Sequence, residues 1–478
     1  MDLPARLGLK RLAQLRRAWV DVERGAISRI TGKVRPALPA EDLHLIRRQV
    51  DECLSEAGGA ASARARAARL GGVYLDLNSP GRENFLRLLA GEYGVNPDAL
   101  RQSARQWLEL DAADSSKSAQ TLLEAQAHLR HTLQSPRIRL LMQFNDLPEG
   151  VKFLANMRAQ LVKIKGDDSE LCAFDSEFRD LLASWFDVGF LELRRITWNA
   201  PAALLETLAE HEAVHAIRSW QDIKHRLAAA DRRCFAFIHP QMPNDPLIFV
   251  WVALTNGVSE RIDDLLRVDH HELNPDKADT AMFYSISAIQ PGLDGVGFGN
   301  FLIKQVAGRL SRDHKQLKHF ATLSPMPGFQ RWLNQELDRS NNGGGEHPRV
   351  QKGLQALRNT GALERMFSDR SWLRDQAALE LVRQPLLVLA AHYLAQEKRG
   401  LGALDQVANF HLSNGASIDR LNFPGDLSRQ GQKRAAGLMV NYRYRLKDIE
   451  SNHEAYHGTG EIAHSRVISA LLKTIISS

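Results

Sequence analysis

Four sets of residues have the types and spacing for chemistry. HEAVH, His211 to His215, would place two imidazoles at i and i+4 on one helix face, with Glu212 as base for a metal-bound water. A third ligand would have to come from His225, Glu260, His270, His271 or Glu272, and none stands in a recognised zinc pattern. The following HAIRSWQDIKHRL reads as a charged surface helix, which is the preferred reading of the segment. Ser324 lies in LSPMPGF, where two prolines restrict the backbone around a hydroxyl. His411 lies in NFHLSNGA, read as a strand end before an Asn-Gly turn. A histidine beside a serine polarises the hydroxyl or passes a proton near neutral pH; a turn serine and a core histidine explain the same residues. NYRY, Asn441 to Tyr444, would put Asn441 and Arg443 on one strand face and Tyr442 and Tyr444 on the other. Either face could serve a site or a core.

The fourth set is the turn in MFYSISAIQPGLDGVGFGNFLIKQVAGRL, Met282 to Leu310. MFYSISAI is β-prone, and FLIKQVAGRL resumes with helical spacing through Phe301, Leu302, Gln305, Val306 and Leu310. Between them stand Gly292, Gly295, Gly297 and Gly299. Such a turn directs several backbone N–H groups at one point, and the following helix start adds positive potential. That is a cradle for an anion such as a phosphate or pyrophosphate, or a tight turn whose glycines serve packing. Neither the P-loop nor the GxGxxG fingerprint is complete.

The elements that must position these residues fall into two textures. Residues 1 to about 187 read as helices near 5–30, 40–57, 80–92, 98–109, 118–144, 149–164 and 175–186. Residues 58–72, GGAASARARAARLGG, read as a linker or a short Ala/Arg helix. From Val188 the pattern turns mixed. Strands are expected at GFLELRRITW, CFAFIHP, LIFVWVALT, MFYSISAI, HFATL, QVANFHL, SIDRLNF and LMVNYRYRL. Helices are expected over Ala213–Leu227, from Gln330, over 350–397 with a break or kink at Pro385, and near Ile462–Ile476. NNGGGEHP, 341–348, reads as a surface loop. The expected fold class is α then α+β: an all-helical N-terminal bundle, residues 1–187, and a mixed-sheet domain, residues 188–478.

Composition narrows the partners. The chain has 478 residues, 44% hydrophobic and 25% charged, enough for two or three ordinary domains. The formal net charge of +6 lies entirely in residues 1–70, with 14 Lys/Arg against 8 Asp/Glu. The rest is balanced and offers no basic body for nucleic acid. The N-terminal stripe of Leu3, Leu7, Leu12, Leu15 and Trp19 beside Lys10, Arg11, Arg16 and Arg17 suits a plain folded helix, with a transit or membrane-surface role as the alternative. No apolar run reaches the ~20 residues of a membrane span. Three cysteines, Cys53, Cys172 and Cys234, are too scattered for a disulfide framework and suit a reducing compartment, while an intersubunit disulfide stays open.

In order along the chain, FYSISAIQPGLDGVGFGNFLIK, FATLSPMPGF, VANFHLSNGASIDRLNF and GLMVNYRYRL resemble the malonyl-CoA decarboxylase family. The resemblance extends through VGFLELRRITW, EAVHAIRSWQDIKHR and RRCFAF. It implies an N-terminal helical domain for self-association, as a homotetramer, and a GNAT-like (acetyltransferase-like) catalytic domain. It implies conversion of malonyl-CoA to acetyl-CoA and carbon dioxide with no metal or organic cofactor. The family's CoA-contacting turn falls on Pro291, Gly292, Leu293, Asp294, Gly295, Val296 and Gly297. Its catalytic serine and histidine fall on Ser324 and His411, and a tyrosine near the site on Tyr444. Animal members carry an acidic residue where this chain has Gly297. The resemblance sets HEAVH aside, because the family's chemistry needs no zinc.

The implied mechanism is decarboxylation to an enolate that the Ser324–His411 pair protonates. An acyl-CoA-dependent acetyltransferase and a non-catalytic malonyl-CoA binding protein are the alternatives, distinguished by carbon dioxide release from malonyl-CoA alone. KTIISS at the C-terminus lacks the SKL-type peroxisomal address. A cytoplasmic, bacterial protein is the expectation.

Overall fold

The computed structural model describes residues 15–22, 33–55, 59–111, 119–269, 271–297, 302–342, 347–361 and 375–474. Most of the stretch read as an N-terminal helix, together with Gly299, Phe301 and the middle of the 341–348 loop, lies outside them. The chain forms two compact units. The first comprises Met1–Phe190 with His239–Pro243 and Gln290–Gly297; the second comprises Leu191–Ile238, Asn244–Ile289 and Phe298–Ser478.

Helices build the first unit, at Leu43–Leu54, Ala60–Asp76, Ser79–Glu92, Pro97–Asp111, Ala119–Leu133, Pro136–Asn145, Gly150–Ile164 and Ser169–Trp185. Asn78 caps one of them by accepting from Gly81 N–H, with Pro80 in the first turn. Asp168 caps another through Glu170 and Leu171. The helix read over 118–144 is two, because Pro136 supplies no N–H to continue the first and starts the second instead. The Ala/Arg stretch is a 17-residue helix rather than a linker. A Cβ on Gly71 would lie 2.2 Å from the Trp19 ring, so that glycine lets an aromatic dock on the helix backbone. Trp19, Tyr74, Phe85, Phe144 and Phe153 then interlock edge to face, with ring centroids 4.6–5.5 Å apart.

The second unit carries a seven-stranded sheet, in spatial order β1-β2-β3-β4-β5-β9-β8. The strands are β1 Glu192–Ile196, β2 Arg232–Ile238, β3 Pro246–Thr255, β4 Thr280–Ala288, β5 His319–Thr322, β8 Ser417–Asn422 and β9 Met439–Arg443. A two-residue pair, β6 Lys398–Arg399 and β7 Gly402–Ala403, stands apart. β2 and β3 are buried along almost their whole length, β2 opening on Arg232 and Arg233 before the apolar run Cys234–Ile238 and β3 apolar from Pro246 to Leu254, as strands covered on both faces should be. Every pairing is antiparallel except β4–β5. The parallel pair is linked through the helix Leu302–Asp313, as a parallel connection requires.

Several readings are corrected. QVANFHL is not a strand but the helix Gln406–Ser413. Its buried residues, Ala408, His411 and Leu412, keep i, i+3, i+4 spacing, and Asp405 caps it. The helix read over Ala213–Leu227 begins only at Trp220, behind a Ser219 cap. Among the described residues of 350–397 stand the helices Pro348–Asn359 and Gln376–Ala395, the second with Pro385 inside it. The last helix is Arg466–Lys473. Helices at Arg429–Ala435 and Ile449–Thr459 had no strong signal in the sequence.

Candidate active site

The site begins where the parallel pair separates. β4 and β5 stay in register from Thr280–His319 to Phe283–Thr322. Leu323 N–H still donates to the Phe283 carbonyl, at 3.0 Å. One residue later the chain belongs to β9: Ser324 and Val440 exchange both backbone hydrogen bonds, each 2.9 Å. β4 runs on to Ala288 paired with β3. The divergence opens a cavity of about 230 Å³, with Phe283, Ser285, Ile286, Ser324, Phe410 and His411 among its lining residues. Its walls are mostly apolar, and no Lys or Arg is among the described residues that line it.

Ser324 and His411, 87 residues apart, meet there. Ser324 Oγ lies 3.1 Å from His411 Nε2 and 2.9 Å from Thr322 Oγ1. Thr322 Oγ1 also accepts from Tyr442 N–H at 3.1 Å, which fixes the acceptor that the serine hydroxyl meets. On the other side of the ring, His411 Nδ1 lies 2.8 Å from the Tyr444 hydroxyl. Tyr442 stacks on the imidazole, with centroids 4.5 Å apart and planes at 27°. Burial pushes the His411 pKa down to about 3, so the ring is neutral near pH 7. Burial likewise raises the Tyr444 phenol well above its ordinary value, so it keeps its proton. A buried phenol needs an acceptor, and His411 Nδ1 is in reach. With Tyr444 donating, the ring proton sits on Nε2 and points to Ser324.

The alternation read in NYRY orders the other components. Tyr442 and Tyr444 reach the histidine, while Asn441 turns the other way and is fully buried. Asn441 Nδ2 donates to the Thr322 carbonyl at 2.7 Å and Oδ1 accepts from Asn422 at 2.8 Å. That pairing ties β5 to the next two strands just before Ser324.

Pro291–Gly297 folds within the helical unit. Pro291–Leu293 makes a single 3-10 turn. Arg158 Nη1 donates to the carbonyls of Gly292 and Asp294, each at 2.8 Å, and its Nε to Asp175 at 2.8 Å. A Cβ on Gly292 would fall 1.8 Å from the Ala155 carbonyl oxygen, so close packing on the helix Gly150–Ile164 requires glycine there. Gly295 has φ +78°, which favours glycine by conformation. At Gly297 a Cβ would meet nothing within 4 Å among the described residues.

HEAVH is not on a helix. The helix Ala202–Glu210 ends before it, with His211 as C-cap. The Glu212 carboxylate accepts from Val214 N–H and His215 N–H, from Trp251 Nε1 at 2.8 Å and from Ser285 Oγ at 2.6 Å. An acid so engaged ties its own loop to β3 and β4. It does not activate water. No three-residue His/Cys/Asp/Glu cluster suited to a metal occurs among the described residues.

Sequence reasoning missed Thr322, Ser285 and Asp405, and it gave Glu212 a metal-assisted role in place of its tie to β3 and β4. Two of these had a signal. Ser285 and Ser287 interrupt an otherwise apolar β4 at period two, and Asp405 precedes an apolar helical pattern as caps do.

A mixed seven-stranded sheet that splays at its parallel pair, with Ser324, His411 and Tyr444 converging on the splay, defines an α+β unit with a candidate site at the divergence. Comparison with known proteins narrows the class. Residues 189–478 match the malonyl-CoA decarboxylase C-terminal domain, and residues 93–186 the N-terminal domain. The mitochondrial malonyl-CoA decarboxylase of Anser anser anser is 35% identical over 422 residues, 85% of this chain and 83% of that protein. The crystal structure of malonyl-CoA decarboxylase from Agrobacterium vitis is 40% identical, with a TM-score of 0.79 over 90% of this chain and 100% of its own. That from Rhodopseudomonas palustris is 37% identical, with a TM-score of 0.79 over 89% and 99%. The chain belongs to the malonyl-CoA decarboxylase family.

Proposed function

We propose that this member of the family makes acetyl-CoA and carbon dioxide from malonyl-CoA in the cleft between β4 and β5, with Ser324 and His411 delivering the proton. The observation that carries this reading is the 3.1 Å contact of Ser324 Oγ with His411 Nε2, backed by Tyr444. The malonyl carboxylate enters an apolar cavity that offers it no cation among the described lining residues. There its charge is poorly solvated, and loss of carbon dioxide moves that charge into the thioester. The C–C bond electrons become the enolate. The incoming carboxylate also favours protonation of His411, whose burial otherwise holds it neutral. Ser324 Oγ–H then passes its proton to the substrate methylene carbon, and His411 Nε2–H replaces it. The histidine ends neutral, one proton is consumed per turnover, and no redox step or metal is called for.

Pro291–Gly297 is the segment we assign to the CoA pyrophosphate. Support comes from the Arg158 anchor. With the Asp294 carbonyl held on Arg158, the trans peptide aims Gly295 N–H the opposite way. We assign the helical unit to self-association as a homotetramer, and the protein to the cytoplasm of a bacterium. Light scattering that gives the 53.5 kDa of one chain would remove the tetramer.

The deciding experiment measures carbon dioxide release from malonyl-CoA with no amine present, together with CoA-thioester binding by calorimetry. Ser324→Ala and His411→Asn should each lose roughly 10²–10³ in turnover, the usual effect of one well-placed donor, with binding almost intact. Parent-like turnover in either variant would overturn the assignment.

A further inference from the structure

We infer that Asp405 is a positioning residue for the Ser324–His411 pair, joining the segment that carries the serine to the helix that carries the histidine. The inference rests on the catalytic reading of that pair. Asp405 is almost fully buried, at 1% exposure, and touches neither Ser324 nor His411 in any hydrogen bond. Its two carboxylate oxygens divide their partners between two elements. Oδ1 accepts from Val407 N–H and Ala408 N–H, each at 3.0 Å, and so starts the helix Gln406–Ser413. Oδ2 accepts from Gly328 N–H at 3.3 Å and from the Tyr393 hydroxyl at 3.1 Å. Gly328 closes the segment Ser324-Pro325-Met326-Pro327-Gly328.

Each arm leading from Asp405 to a reacting group is stiff. On one side, the serine segment is fixed at its start by the paired Ser324–Val440 backbone bonds and along its length by two prolines. Met326 within it is fully buried. On the other side, under two helical turns separate Asp405 from His411. The carboxylate is where the two arms meet, so it fixes the Oγ–Nε2 separation. Gly328 fits this role: a Cβ there would stand 2.3 Å from the Tyr393 hydroxyl and displace it from Asp405. Burial raises the Asp405 pKa, and the four donors oppose that shift.

Asp405→Ala removes cap and clamp together and risks misfolding. Asp405→Asn separates them, because an amide presents one acceptor and one donor. One set of partners keeps its oxygen, and the other set faces NH2. The test measures kcat and KM for malonyl-CoA in the full-length enzyme, for Asp405→Asn alone, Ser324→Ala alone and the two combined. We expect Asp405→Asn to lower kcat about 10²-fold, the scale of an ångström-sized misplacement, with KM changed less than about threefold. We expect no further fall when it is added to Ser324→Ala, because residues acting as one unit are non-additive. A parent-like kcat in Asp405→Asn, or an equal fall in the Ser324→Ala background, would overturn the inference. A parent-like Ser324→Ala would instead remove the reading of the pair, and the inference with it.

Discussion

His411 and His215 look alike by the usual electrostatic signs. Both are in the sheet unit, and both have pKa values pushed down to about 3, chiefly by burial. Their surroundings differ. His411 has a serine on one nitrogen, a tyrosine on the other and an apolar cavity in front. His215 has a buried Nε2 without a hydrogen-bond partner among the described residues, and it follows a glutamate whose oxygens are already committed. It lines a separate, more polar cavity of about 430 Å³ with Arg218, Asp222, Arg226 and Asp426. A depressed pKa reports burial. Chemistry needs a hydroxyl in reach and a second group that fixes the tautomer.

The sharpest way to break this comparison is to change both histidines alike. His411→Asn should lower turnover by roughly 10²–10³, while His215→Asn should stay within about tenfold of the parent in the same assay. Equal losses would mean that the HEAVH loop takes part in the chemistry. Next in size is Glu212→Ala. It strands Trp251 Nε1, Ser285 Oγ and two backbone N–H groups and should cost about 3 kcal/mol of stability. Urea denaturation would show it as a lower midpoint at an unchanged slope.

The smallest effect is in pH. Each histidine has a folded pKa below its unfolded value near 6.5. The unfolded chain therefore binds more protons between about pH 6.5 and 3, and stability falls as pH drops through that window. Removing His215 should flatten the fall by at most about 1.4 kcal/mol per pH unit. The check is the difference in urea midpoint between pH 6.5 and 5.0, for His215→Gln against the parent. An unchanged slope would show that His215 does not titrate with unfolding.

The strands of the second unit were legible because apolar runs such as LIFVWVALT and MFYSISAI are long and sharply bounded. The Gln406–Ser413 helix was not, because in seven residues apolar side chains fit a period of two or of 3.6. What decided it was Asp405, whose cap supplies acceptors for two orphan N–H groups. HEAVH failed as a helix for the converse reason. The helix stops at Glu210, and Glu212 gains more partners outside a helix than within one.

By itself the sequence determined the order of textures and the segments that carry the family resemblance, because those follow from local pattern and residue type. Ser324, His411 and Tyr444 were singled out by the resemblance, since spacing alone suited a turn serine and a core histidine equally. Only the tertiary structure decided that Ser324 and His411 touch, because that contact depends on β5 leaving β4 for β9 and on a helix starting at Asp405. It also decided what Gly292 does: a helix carbonyl fills the space of its side chain, whereas at Gly297 no neighbour among the described residues does so. Spacing along a chain cannot distinguish those cases, since the neighbour that matters comes from another element.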